Sequence, residues 1–316
     1  MSKDRAPGNP SPHVAIEKSI IPIPGILTAA AETFGLSRSL TLTIIILSWL
    51  VLAGSLFFFI HSAPSNTLTI TCGPEGSIFY ANAEKYSKIL ARHHVKLNLL
   101  VSHGSLENLQ RLGDPKFNVD VGFVQDGLTS KASDNLVSLG SISYQPLFVF
   151  YRGTTIESLS ALAGKRLAIG PVGSGTRTLV LSLLEANDIK PGGQTTLLDW
   201  EPQQAYLALL AGTTDAVSLM GEDASLTIMR NLLREPGINL MNFSQAEAYT
   251  RRFTCLNVLR FPQGSIDLGQ NIPAHDVNTI GPTVELIARK NLHPSSIRSP
   301  ARNRSRGPWP CWFDSA

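Results

Sequence analysis

The chain has 316 residues, enough for one large or two medium domains, and its 43% hydrophobic and 16% charged content is that of a foldable globular chain. The net charge of +3 resides in residues 295–316, where Arg298, Arg302, Arg304 and Arg306 face only Asp314. The remainder is formally neutral, with no basic face to track nucleic acid. The three cysteines, Cys72, Cys255 and Cys311, make no CxxC pair, which argues against a zinc or iron–sulfur site.

Residues 1–40 mix Pro, Gly, Ser and scattered charges, and read as a disordered cytoplasmic tail. Residues 42–60, LTIIILSWLVLAGSLFFFI, contain no charged residue. Nineteen helical residues at ~1.5 Å each span about 28 Å, close to a bilayer's hydrocarbon thickness. A transmembrane anchor is therefore expected over 41–62. A cleaved signal peptide fits less well, because about forty residues precede the run. Arg38 lies just before the span and no Lys or Arg follows until Lys85, which predicts the N-terminus inside and the main domain outside. In a double-membraned bacterium that is an inner-membrane, single-pass protein with its main domain in the periplasm.

From residue 68 onward short apolar runs alternate with helical patterns. Strands are expected at 68–72, 96–102, 119–125, 135–142, 146–152, 165–170 and 215–220. Helices are expected at 79–91, at 105–112 with Ser105 as cap, near 156–162, at 176–186 and near 203–210. Residues 284–292 read as a further helix. This alternation predicts α/β units with mainly parallel sheets. Residues 295–316 have no apolar periodicity and are crowded with Arg, Ser and Pro; a disordered extension and an out-of-frame ending both fit that composition.

Residues 170–177, GPVGSGTR, form a glycine-rich turn between a strand and a helix. Gly170 and Gly175 have P-loop spacing, but Thr176 and Arg177 replace the lysine and the metal-binding hydroxyl. A nucleophile elbow fails too, since Val172 and Thr176 flank Ser174 at the glycine positions. What remains is a helix N-terminus with free N–H groups, suited to an anion. Two further turns repeat the device: Gly73-Pro-Glu-Gly-Ser77 before Tyr80, and Gly104-Ser105 before Asn108. Such turns lie at the carboxyl ends of strands, where ligands of α/β sheets bind. A carboxylate held by two of them needs no dedicated arginine.

Gln125 and Tyr80 could add contacts, their plain alternatives being an exposed amide and a core aromatic. Arg177 could meet a ligand carboxylate, or pair with Glu185 or Asp199. His93, His94, His103 and His275 have no ligand-spaced carboxylate or cysteine, and no Ser/His/Asp set or paired acids stand out. No cofactor, metal or catalytic residue is expected, and the chain reads as a binder. Cys72 and Cys255 could pair in an oxidising compartment.

Five motifs in order resemble one known family. GPEGSIFYANAEKYSKIL after Cys72 looks like the opening of TAXI-type solute receptors of TRAP transporters, where a Gly-Gly-Thr-Tyr-Tyr-like turn precedes a helix. SHGSLENLQRL, VGFVQDG, LAIGPVGSGTRTL and LLAGTTDAVSLMG are similar to that family's later segments, so the resemblance covers about residues 68–292. The first turn here lacks the family's second glycine, its threonine hydroxyl and its first tyrosine hydroxyl. The resemblance implies an α/β, two-lobed periplasmic-binding-protein-like fold (type II-like), here with an N-terminal transmembrane helix. Lobe 1 would comprise 66–150, completed by 253–292, and lobe 2 would comprise 151–252, joined near 144–152 and 252–260.

The same resemblance implies that a small organic carboxylate such as glutamate is captured by cleft closure and handed to TRAP-type permease subunits. On this reading the ligand-binding positions are Gly76, Ser77, Tyr80, Ser105, Asn108, Gln125, Ser174, Gly175, Thr176 and Arg177. The family continues past Pro294, so residues 293–316 would be a truncation or frameshift. A ligand-sensing ectodomain of the same fold is the alternative. Thiamine-precursor synthases share a related fold, but the cysteine-rich motif they rely on is absent here.

Overall fold

The computed structural model describes residues 38–61, 66–128, 135–290 and 292. Residues 1–63 and 64–316 form two separate units. The tail expected over 1–40, apart from its last three residues, and the ending expected over 293–316 lie outside the described residues.

In the first unit one helix, α1 (Arg38–His61), carries the uncharged run. Its 24 residues extend about 36 Å. Trp49, Phe57 and Phe58 are among its exposed side chains. Among the described residues no helix is long and apolar enough to cross a membrane. The structure thus shows a helix where a span is expected, and not the span itself.

The second unit holds two α/β lobes, each built on its own sheet. The first sheet has the order β10-β11-β3-β1-β2, with β4 also on β11. Its strands are β1 (Thr67–Thr71), β2 (Lys96–Leu100), β3 (Val121–Gln125), β4 (Leu136–Tyr144), β10 (Leu256–Phe261) and β11 (Val277–Arg289). Helices α2 (Ile78–Ala91) and α3 (Ser105–Gly113) follow β1 and β2. The second sheet has the order β7-β6-β8-β5-β9. Its strands are β5 (Phe148–Arg152), β6 (Arg166–Ala168), β7 (Thr196–Leu198), β8 (Ala216–Leu219) and β9 (Ile238–Leu240). Around them lie α4 (Gly175–Glu185), α5 (Pro202–Ala211), α6 (Leu226–Arg234) and α7 (Ala246–Arg252). The chain leaves the first sheet after Tyr144 and returns to it at Leu256.

Both sheets are mixed rather than mainly parallel. β1 pairs in parallel with β2 and β3, and β6 with β7 and β8, as strand-helix units require. β11 runs antiparallel to β3, β4 and β10, and β5 runs antiparallel to β8 and β9. The helix expected over 284–292 is instead the second half of β11. Val277, Thr279, Ile280, Thr283, Val284 and Ile287 are β-branched, and burial on both faces suits them to a pleated interior. β11 pairs with β10 along 277–282, and further on it lies between β4, along 283–289, and β3, along 284–288. A central position of this kind outweighs the local helical pattern of VELIARK.

Local chemistry accounts for the other boundaries. Ser77, Ser174 and Ser225 cap α2, α4 and α6 by accepting the N–H of Tyr80, Arg177 and Ile228. Pro202 opens α5 and Gly212 ends it in a left-handed turn at φ 72°. Ser105 is not the cap of α3. Gly104 holds that position at φ 127° and supplies no side chain, so the N–H groups of this helix stay free for another acceptor. The stretch near 156–162 is only a short 3-10 turn, Leu159–Leu162.

The cores follow the sheets. Leu68, Ile70, Phe79, Phe123 and Val284 close the first lobe, and Phe148, Phe150, Leu209 and Leu232 pack on one face of the second sheet. Cys72 and Cys255 are both free thiols, so the pairing left open by the sequence does not form. Cys72 is buried and its thiol donates to the Leu100 carbonyl; burial pushes it up to about 11, so it is unreactive.

Candidate functional site

The carboxyl ends of β1, β2, β3, β6 and β8 place five segments against one another where the lobes meet. From the first lobe come the turn before α2, the N-terminus of α3 and Gln125. From the second come the N-terminus of α4 and residues 220–223, which follow β8. The contacts are backbone-close. The Ile78 N–H donates to the Gly221 carbonyl at 2.9 Å, and the Glu107 N–H donates to the Gly173 carbonyl at 2.9 Å. The Gln125 amide donates to the Gly175 carbonyl at 3.0 Å. A Cβ on Gly175 would fall 2.5 Å from that amide carbon and would have to displace the Gln125 amide from the junction.

At the centre stands a carboxylate belonging to the chain itself. Glu222 is fully buried. One oxygen accepts the Ser105 N–H at 3.0 Å; the other accepts the Thr176 N–H and, at 3.0 Å, the Thr176 hydroxyl. Ser105 begins α3 in the first lobe and Thr176 lies in the first turn of α4 in the second. The positive ends of two helix dipoles, one from each lobe, therefore meet a single anion. Gln145, on the segment leaving the first lobe, braces the loop. With its amide oriented to suit its neighbours, its oxygen accepts the Gly221 and Glu222 N–H groups.

The neighbouring Asp223 is also buried, and neither carboxylate oxygen has a hydrogen-bond partner. Burial, and then the charge on Glu222, push its carboxyl well above the usual range. Burial also raises Glu222, opposed by the donors at Ser105 and Thr176. No hydrogen bond reaches the Asp223 carboxyl, so it is raised the further of the two and keeps its proton to higher pH. The folded state then keeps that proton at pH values where the unfolded chain has released it. Stability falls as pH rises from the unfolded value near 4 towards the raised folded one. Asp223→Asn removes this dependence, so its melting temperature relative to the parent should climb between pH 5 and pH 8. A pH-independent difference by scanning calorimetry would show Asp223 ionised in the fold.

The residues singled out in the sequence divide into two groups. Ser105, Gln125, Gly175 and Thr176 lie at the junction. Ser77 and Ser174 border it, but their hydroxyls are occupied as caps. Gly76 bends its turn at φ +79° with open space around it. Tyr80 packs against the first lobe's core. Asn108 is an internal strut: its oxygen accepts from the Thr71 and Ser102 hydroxyls at 2.6 and 2.7 Å, and its amide donates to the Phe123 carbonyl. Arg177 is engaged by Asp199 at 2.8 Å beside an open depression of about 370 Å³. Sequence reasoning missed Glu222, Asp223 and Gln145.

A family profile matches residues 70–299, which takes in both lobes and every group at the junction. The chain belongs to the NMT1-like family. No curated protein sequence matches this family member at a significant level. Among solved structures, the periplasmic aliphatic sulphonate binding protein SsuA from Escherichia coli aligns at 20% identity over 56% of this chain and 56% of its own, with a TM-score of 0.39. This NMT1-like chain thus spans little more than half of that protein's length. An ancestral arginine-binding protein bound to arginine aligns at 14% identity over 74% of this chain and 88% of its own, with a TM-score of 0.45. A periplasmic binding protein from Brucella ovis with glutathione bound aligns at 14% identity, over 71% and 63% respectively, also at 0.45.

Proposed function

We propose that this NMT1-like chain is an extracytoplasmic solute-binding protein that takes a small organic carboxylate, such as glutamate, between its lobes. The observation that carries this reading is the cradle itself. Ser105 N–H from one lobe, and Thr176 N–H and hydroxyl from the other, converge on one carboxylate position without a lysine or arginine. Donors split between two lobes bind an anion only when the lobes close, which couples capture to a hinge motion about the two crossings. The uncharged run of α1 supports an inner-membrane anchor with the lobes in the periplasm, and the motif resemblance supports TRAP-type permease subunits as the partners. Calorimetric titration of the full chain in detergent micelles, with glutamate, dicarboxylates and sulfonates at millimolar concentration, tests it. Saturable heat from at least one solute is expected, and a silent panel overturns the reading.

A further inference from the structure

We propose that Glu222 is a tethered ligand: its side chain fills the carboxylate cradle, keeps the lobes closed without solute, and must be displaced before an external carboxylate enters. The proposal rests on the solute-binding reading for its physiological meaning, but its geometry stands alone. Glu222 belongs to the second lobe and reaches the first at Ser105, so its carboxylate makes the same bridge a captured solute would make. An ionised carboxylate only accepts hydrogen bonds, and three donors meet it.

The backbone that carries Glu222 is built into the closed state as well. Gly221 is gripped by the Ile78 N–H, and a Cβ there would collide with the Ile78 side chain and, at 2.8 Å, with the Gln145 amide. A Cβ on Gly104 would stand 3.2 Å from the Glu222 carboxylate, so the glycine capping α3 is what lets this anion approach. Because the competitor is attached, it acts at a high effective concentration that dilution never lowers. An incoming solute binds only the fraction of molecules whose cradle is vacant, and its apparent affinity falls by that fraction. Hydrogen bonds to a charged group of this kind correspond to about a 10- to 100-fold effect.

Hydrogen–deuterium exchange on the full chain in micelles reads the cradle through its own N–H groups. In Glu222→Ala, peptides covering 102–112 and 173–179 should lose protection about tenfold or more, and millimolar acetate should restore it. The parent should not respond to acetate. The peptide covering 148–152 should stay protected throughout, which reports an intact second sheet. Glu222→Gln keeps the shape but points an amide donor at donors; it should lose protection at both cradle peptides, and it carries the test if the alanine variant does not fold. Any solute that binds the parent should bind Glu222→Ala about 10- to 100-fold more tightly. Unchanged protection in both variants, or a Glu222→Ala protein deaf to acetate, overturns the tethered ligand whatever the solute panel shows. A silent panel overturns the solute-binding reading whatever acetate does here.

Discussion

Gly73→Ala should leave both lobes folded but hold them apart, seen as a larger radius of gyration for the lobed unit and faster exchange at the Ser105 and Thr176 amides. Gly73 lies in the first lobe's turn, directly under the Glu222 carbonyl of the second. A Cβ there would overlap that carbonyl oxygen and stand 2.6 Å from the Ser77 hydroxyl. The serine can rotate at the cost of its cap; the carbonyl belongs to backbone and cannot. A normal C···O contact of ~3.3 Å is restored only if the lobes part by roughly 1 Å. Overpacking of this kind costs about 1–3 kcal/mol, which shifts a closure equilibrium about 5- to 150-fold. The same substitution acts mainly on closure, because its closest clash is with the other lobe's backbone and the first lobe's core is met only at the Phe79 Cβ, 3.3 Å away. An unchanged radius and unchanged exchange would mean that the junction is soft enough to absorb a methyl group.

Phe123→Ala is the second large effect, and it acts on the first lobe. Phe123 is wholly buried in β3, with ring centroids 5.3 Å from Phe79 and 5.8 Å from Tyr86. These two rings belong to α2, so Phe123 is what fastens the helix to the strand. Truncation leaves a cavity between them and should cost about 3–5 kcal/mol, or roughly 6–20 °C in melting temperature for a unit of this size. Calorimetry should show the first lobe's transition moving down while the second's stays in place. Phe123→Leu should recover much of the loss. A single transition shifted as a whole would show that the lobes unfold together.

The strand-turn-helix units were readable because each carries its own local signal. The runs at 68–72 and 96–102 have strand composition, and the glycine turns with Ser77 and Ser174 announce the helices that follow. Residues 284–292 misled because a single-segment pattern cannot report that β3, β4 and β10 already flank the segment. Thr196–Leu198 and Ile238–Leu240 are three-residue strands, too short to show periodicity. The anion chemistry of the turns was legible from their N–H groups, but the identity of the anion was not. Glu222 and Asp223 did not stand out in the sequence, and only the meeting of two lobes makes them interior. One signal was present: two adjacent acids one glycine after the apolar run AVSLM, at the carboxyl end where such sheets hold their ligands.

The position of β11 has a consequence for how the chain is made. Residues 148–252 contain every strand of the second sheet in one uninterrupted stretch, so that sheet can form as soon as they have been synthesised. β3 waits for β11, which begins some 150 residues later. At ~5–20 residues per second that delay is roughly 8–30 s. Throughout it the fully buried strand VGFVQ presents an unpaired edge. The first lobe is therefore the half whose sheet is completed last during biosynthesis, and β11 is the strand that completes it.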